Sequence, residues 1–269
     1  MRRDITFASD RMPALTGVAA DFQKMLRDDT YCCGIWLNDP LGLAWTVDHP
    51  EDPELDQQLS PSQRNNPPPP SWSWASQNQP IIYPMYPMHP MYHLTHILCR
   101  MTGFRVEQSQ ITASIQGRLL LIGPHNSEAH DYPYGDNPTR VLILRESLGS
   151  VKGRTTQASS QRTHNWFLQE DGRNRKLRTK GDHATESVYF LPVCQNEKKK
   201  SNKPRSRLGG ILLRPVSNRG PGAFERVGWC WIISENGNVS TLLAHFQRHL
   251  TADDYQEIDE DGVCTITLF

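Results

Sequence analysis

Between Tyr83 and His96 the chain reads YPMYPMHPMYHLTH, with His89, His93 and His96 set among methionines. Thioethers and imidazoles are the ligands a Cu(I) ion selects. His89 and His93, four apart, would share one face of a helix. Pro84, Pro87 and Pro90 forbid a helix through this stretch, so the spacing creates no common face. The segment is expected to be a low-complexity loop.

Three other groups of residues invite chemistry. The densest basic run, KKKSNKPRSR from Lys198 to Arg207, has the composition of a nuclear-localisation signal or a nucleic-acid contact. It also falls between two predicted strands, where a solvated hairpin loop accounts for it. It lacks the interleaved aromatic rings of a single-strand binding platform. Asp253, Asp254, Glu257, Asp259, Glu260 and Asp261 are acidic enough for calcium, but their order does not fit an EF-hand loop. Ser, His and Asp are plentiful, yet there is no nucleophile elbow, HExxH, Walker A loop or GxGxxG. No catalytic, cofactor-binding or metal-binding residue is assigned, and no cofactor is expected.

The bulk properties narrow the classes further. The 269 residues carry 29 Lys+Arg against 29 Asp+Glu. Generic binding to a phosphate backbone calls for a basic excess, so nucleic acid is not expected as a partner. Six cysteines (Cys32, Cys33, Cys99, Cys194, Cys230 and Cys264) show no CxxC, and two are adjacent, a poor start for a disulfide framework. With no signal peptide at the start, they read as reduced thiols of an intracellular protein. No apolar run approaches the roughly 20 residues that cross a bilayer. The expected location is cytoplasmic, or nuclear through Lys198–Arg207.

Residues 1–47 are expected to be helical. Leu15, Val18, Ala19, Phe22, Met25 and Leu26 recur at spacings of three and four, with Ser9 or Asp10 as a cap and Pro13 in the first turn. Trp36 and Trp45 fall on a second short helix or turn. Residues 48–70 form a Pro-rich variable loop that ends in polyproline II geometry. From about 81 the texture is that of strands: alternation from Val106 to Ile122, then VLILRE, NWFLQ, SVYFLPVC, GGILLRPV, ERVGWCWII and VCTITLF. Residues 125–139 read as loop, and LLAHFQRHL (242–250) as a late helix. The fold class is therefore α+β, a short helical N-terminal segment with a predominantly antiparallel β sandwich or barrel over 71–269.

Several of these segments resemble the region downstream of the catalytic block in fungal heterokaryon-incompatibility (HET) domain proteins. DRMPALTGVAADF, with Asp10, Arg11, Pro13, Ala14, Leu15 and Gly17, is similar to the end of the HET domain. YCCGIW and LAWTV, with Gly34, Trp36 and Trp45, resemble its glycine–tryptophan and leucine–x–tryptophan elements. PSWSWAS, with Pro70, Trp72, Trp74 and Ala75, resembles the signature that follows a variable loop. VYFLPVC, GGILLRPV and FERVGWCWI, the last with Arg226 and Gly228, are similar to the closing strands. The family's defining upstream blocks do not appear. The HET domain is considered similar to Toll/interleukin-receptor-like folds, some of which cleave NAD, and that chemistry belongs to the absent blocks.

The resemblance implies a non-catalytic regulatory or recognition module of a fungal self/non-self, cell-death protein, acting on a protein partner or on an executioner domain. It allows a standalone member or one whose HET blocks lie upstream of Met1. The alternative is an independent β-barrel module that binds nucleic acid or a small ligand through its tryptophan faces and the Lys198–Arg207 loop. A period of two puts Trp72 and Trp74 on one face of an extended strand, with Ser71 and Ser73 on the other. Core packing of the rings is the expectation, and an aromatic stacking platform the competing one. Trp229 and Trp231 repeat the pattern.

Overall fold

The computed structural model describes residues 11–47, 69–77, 81–83, 92–107, 110–122, 128–134, 137–144, 164–170, 188–198, 206–234 and 250–269. Helix α1 spans Arg11–Met25, so Pro13 falls in its first turn. The chain then makes a tight hairpin of β1 (Tyr31–Cys32) and β2 (Ile35–Trp36), a 3-10 turn at Pro40–Leu43 and the short strand β3 (Thr46–Val47). Trp36 and Trp45 therefore lie in a hairpin and just after a 3-10 turn, where a second short helix or turn was expected. Asp39 starts that 3-10 turn, its carboxylate accepting from the Leu41 N–H at 3.1 Å. β3 pairs with β4 (Ile81–Ile82) in a small antiparallel ladder.

All the later strands join one sheet: β5 (Tyr92–Ile97), β6 (Cys99–Glu107), β7 (Gln110–Gly117), β8 (Leu120–Ile122), β9 (Glu128–Tyr134), β10 (Asn137–Leu144), β11 (His164–Glu170), β12 (Val188–Lys198), β13 (Ser206–Pro215), β14 (Ala223–Ser234), β15 (Glu257–Ile258) and β16 (Cys264–Leu268). Its main path runs β5-β12-β13-β14-β11-β10-β9, and β14 also carries β16, which pairs with β7 and through it with β6. Among the described residues every ladder is antiparallel except the short β14–β16 pairing. The class is α+β and mainly β, and the sheet does not close into a barrel. The stretch 125–139, expected as loop, instead supplies β9 and the start of β10, which pair from Asn137↔Tyr134 onward. Candidate helix 242–250 lies outside the described residues apart from Leu250.

The long central strands β12, β13 and β14 read as continuous apolar runs because both of their faces are buried. One face sends Tyr189, Leu191, Val193, Ile211, Leu213, Phe224 and Trp229 into the main core, where they meet Met101, Ala113, Ile115, Ile266 and Leu268. The other sends Phe190, Leu208, Leu212, Val227, Cys230 and Ile232 into a second cluster. Pro192 has no N–H to give a ladder, and the β12–β13 register shifts there, as a proline inside a sheet requires. The main core also takes in Cys33, Ile35, Leu43, Ala44 and Trp72, so the first segment, up to residue 47, and the later strands share it.

Helix α1 behaves differently. Met12 packs against the main core and Ala19 is buried. Of the rest of its predicted stripe, Leu15 is half-buried, while Val18 (56% exposed), Phe22 (51%), Met25 (70%) and, just past the helix end, Leu26 (45%) face outward.

Candidate functional site

The residues singled out in the sequence converge on a buried arginine. Arg226 lies on β14 opposite Leu213, and the register slips by one residue between Leu212 and Leu213. That bulge leaves Val227 extra, so Phe224 and Arg226 share a face with Trp229 and Trp231 despite the odd spacing between the pairs. Without it, a period of two would send Arg226 and Trp229 to opposite faces.

The Arg226 side chain is 2% exposed. Its guanidinium carbon sits 3.5 Å from the centre of the Trp45 ring. One terminal nitrogen donates to the Leu43 carbonyl at 2.6 Å, and the other donates to the Trp45 carbonyl. A buried charge without such partners would cost several kcal/mol, on the order of what unfolds a domain. Two carbonyls and an indole face offset that cost, through charge-assisted hydrogen bonds and cation–π attraction. The planar fork reaches both carbonyls at once, a geometry no ammonium reproduces. Burial pushes the Tyr83 phenol above its usual range, and the nearby Arg226 charge opposes that rise.

The serine–tryptophan signature is wired into the same junction. The Arg226 backbone N–H donates to Ser71 Oγ at 2.9 Å. Ser71 in turn donates to the Phe269 carbonyl from its N–H, at 3.0 Å, and from its hydroxyl. Trp45 Nε1 donates to the Trp72 carbonyl at 3.1 Å. Ser73 Oγ donates to the Cys33 carbonyl at 2.5 Å and accepts from the Ala75 N–H, which starts a 3-10 turn at Trp74–Ser76. Trp74 Nε1 donates to the Gly34 carbonyl at 3.0 Å. Gly34 has φ +90, and a Cβ there would fall 2.3 Å from Trp74 Nε1, so the indole seats only over a glycine.

This arrangement corrects the expected strand over Pro70–Ser76. The segment is a turn followed by 3-10 geometry, and the two indoles part company. Trp72 is fully buried and stacks on Phe104, with ring centroids 5.6 Å apart. Trp74 is half-buried over Gly34. Ser71 and Ser73, expected on the opposite face, turn inward to bond main-chain atoms, because a turn leaves carbonyls that only such short donors reach. Trp229 is 1% exposed and meets the half-buried Trp231 edge to face at 5.6 Å. The faces of Trp72 and Trp229 are thus occupied by protein, and no ligand can stack on them.

Gly34, Trp45, Pro70, Trp72, Trp74, Ala75 and Arg226 gather at or beside the junction, and Gly228 adjoins its bulge. Trp36 lies on the hairpin and packs against Tyr31, at 5.0 Å between centroids. Pro13 and Gly17 lie exposed on α1 with Leu15 half-buried, and the Arg11 backbone begins that helix. Asp10 and His89 lie outside the described residues. Leu43, Tyr83 and Phe269 also build the site and carry no sequence signal, since they act through a backbone carbonyl or simple proximity. Ser71 and Ser73, inside the signature, act through short hydroxyls whose role it does not announce.

The other candidates resolve as structure. Asp254 is buried and accepts from the Tyr189 hydroxyl and from Thr251, whose N–H donates at 2.6 Å. Asp259 accepts from the Asp261 and Val263 N–H groups and closes a turn. His93 and His96 fall on β5, paired to β12. Lys198 ends β12 and Ser206 begins β13, so the basic run connects the two strands of a hairpin, with 199–205 outside the described residues. All six cysteines are free thiols. Among the described residues no three His, Cys, Asp or Glu side chains gather as metal ligands, and no helix is long and apolar enough to cross a membrane. Compared with protein-family models, with curated proteins and with solved structures, the chain finds no match.

Proposed function

We propose that the chain is a non-catalytic recognition or regulatory module of the heterokaryon-incompatibility type, working inside the fungal cell by contact with a protein partner that executes cell death. The observation that carries this reading is the outward apolar stripe of α1. Val18 and Phe22 lie in the DRMPALTGVAADF segment that resembles the end of a HET domain, Met25 and Leu26 follow directly, and each of the four is at least 45% exposed. Three large apolar side chains on one helix, with Leu26 directly after its end, form an outward apolar patch of the kind that marks a contact surface. The partner that suits this surface is a HET executioner domain, supplied by a second protein or by the same polypeptide. NAD cleavage, in this reading, belongs to that domain.

A ligand-binding β module has less support. Its platform would be the Trp72–Trp74 and Trp229–Trp231 faces; Trp72 and Trp229 are covered, and Trp74 and Trp231 are each half-buried against protein. The balanced charge of the chain supplies no field for a phosphate backbone.

The test is co-expression of this chain with HET-domain executioners in a fungal host, scored by viability and cellular NAD. The chain alone should leave both unchanged, and it should alter the toxicity of a matched executioner. Phe22→Asp combined with Met25→Asp should remove that effect while the tryptophan emission of the purified protein stays native. An effect that survives the double substitution discards α1 as the contact surface. NAD loss with the chain alone discards the non-catalytic reading.

A further inference from the structure

Of the six thiols, two stand apart from the rest. Cys32 ends β1, and Cys33 opens the turn into β2 with φ +49, the one non-glycine residue in the left-handed region among the described residues. Their sulfurs lie 3.9 Å apart, in hydrogen-bonding contact. Cys32 is half-buried, whereas the other five are buried. The contact with Cys33 holds the Cys32 thiol below its ordinary range and raises that of Cys33. Burial drives other core thiols up: Cys99 and Cys264 are raised and Cys194 is pushed up to about 12. Only the thiolate attacks an electrophile, so accessible nucleophilic sulfur concentrates at Cys32, with a second sulfur already beside it.

We propose that Cys32 and Cys33 are a modification site at which a hydroperoxide converts the adjacent dithiol into a vicinal disulfide. The Cys32 thiolate attacks the peroxide oxygen, the O–O bond breaks, and the leaving oxygen takes up a proton to depart as water or an alcohol. Cys32 is then a sulfenic acid. The Cys33 sulfur attacks it, the S–O bond breaks, and the hydroxyl leaves as water with the Cys33 proton. The two thiols together lose two electrons, and the peroxide gains them.

Adjacent Cα atoms stand about 3.8 Å apart across a trans peptide, closer than the roughly 4.4–6.8 Å of ordinary disulfides. The ring that forms is strained and correspondingly easy to reduce, which suits a reversible mark better than a permanent staple. It also has a route to the rest of the molecule. The Cys33 carbonyl receives the Ser73 hydroxyl, and the next carbonyl, that of Gly34, receives Trp74 Nε1. Closing the ring must reorient the peptide between the cysteines, so the seating of the Trp74 indole reports the oxidation state. This inference does not rest on the heterokaryon-incompatibility reading.

The experiment exposes the folded full chain to hydrogen peroxide, alkylates the remaining thiols, and maps the peptides by mass spectrometry beside tryptophan emission. The expected product is lighter by the two thiol hydrogens. Four cysteines are then alkylated, the missing hydrogens map to the peptide holding Cys32 and Cys33, and dithiothreitol restores both mass and emission. Cys32→Ser should abolish the loss. Oxygen additions without hydrogen loss, a link mapped to any other pair, an unreactive chain, or a hydrogen loss that survives in Cys32→Ser would each overturn the assignment. Peptide mapping of the unaltered chain decides the matter even if the variant folds poorly.

Discussion

Arg226 shows how one charged side chain can hold distant parts of a chain in register. Its partners come from Leu43 and Trp45, more than 180 positions away in sequence, and its own N–H reaches Ser71. In Arg226→Met the stem is replaced by a side chain of comparable reach, but the Leu43 and Trp45 carbonyls lose their donors inside the protein. Each buried orphan costs about 1–3 kcal/mol, and the lost cation–π contact adds up to about 2. We expect Arg226→Met to lower the unfolding free energy by about 3–5 kcal/mol, measured by urea titration followed through tryptophan emission. Arg226→Lys should recover only part of that loss, since an ammonium serves one carbonyl at a time. If Arg226→Met proves as stable as the parent, the guanidinium contributes nothing net and the junction rests on packing alone.

At the level of elements the telling pair is Gly209 and Gly210, which look in sequence like a weak point in an otherwise apolar strand. A Cβ on Gly209 would fall 2.5 Å from Trp231 and 2.8 Å from Trp229, so the bare backbone of β13 is what lets the two indoles meet edge to face. Gly209→Ala should cost about 1–3 kcal/mol by overpacking and change the near-ultraviolet circular dichroism of the indole pair. An unchanged spectrum and stability would mean the rings shift freely. Much at this scale was legible beforehand: the apolar runs around Tyr189, Ile211, Trp229 and Ile266 are strands, and the basic run after Glu197 joins two of them. What escaped has physical causes. A turn bonded through Ser71 and Ser73 has the same alternation as a strand when only polarity is read. The bulge at Val227 depends on the partner strand, and nothing in FERVGWCWI marks where the phase changes. The partners of Arg226 are main-chain carbonyls, which every residue possesses and no residue type announces. Helix α1 was foreseen from its stripe, but the stripe could not say that Ala19 faces inward while Phe22 does not.

Taken whole, the molecule builds its main core from two stretches far apart in sequence, 33–44 and 72–268, and this determines how it must unfold. Cys33, Ile35, Leu43 and Ala44 lie in the same core as Trp72, Ile115, Leu191 and Trp229. Removing residues 1–47 would strip that core of four buried side chains and of the ring over which Arg226 lies. It would also leave the guanidinium without the Leu43 and Trp45 carbonyls, and Trp74 without the Gly34 carbonyl that receives its N–H. A buried arginine deprived of its acceptors costs about 3–5 kcal/mol by itself, a large share of the roughly 5–15 kcal/mol that holds a domain together. A chain of 71–269 should therefore fail to reach the native state, giving tryptophan emission near that of exposed indole and no cooperative thermal transition. Supplying 1–47 as a separate polypeptide should restore both to the extent that the two pieces associate, because the contacts between them are those of a core and not of a linker. A 71–269 chain that unfolds cooperatively with buried tryptophans would show instead that the strands close on their own and that the first segment is an attachment.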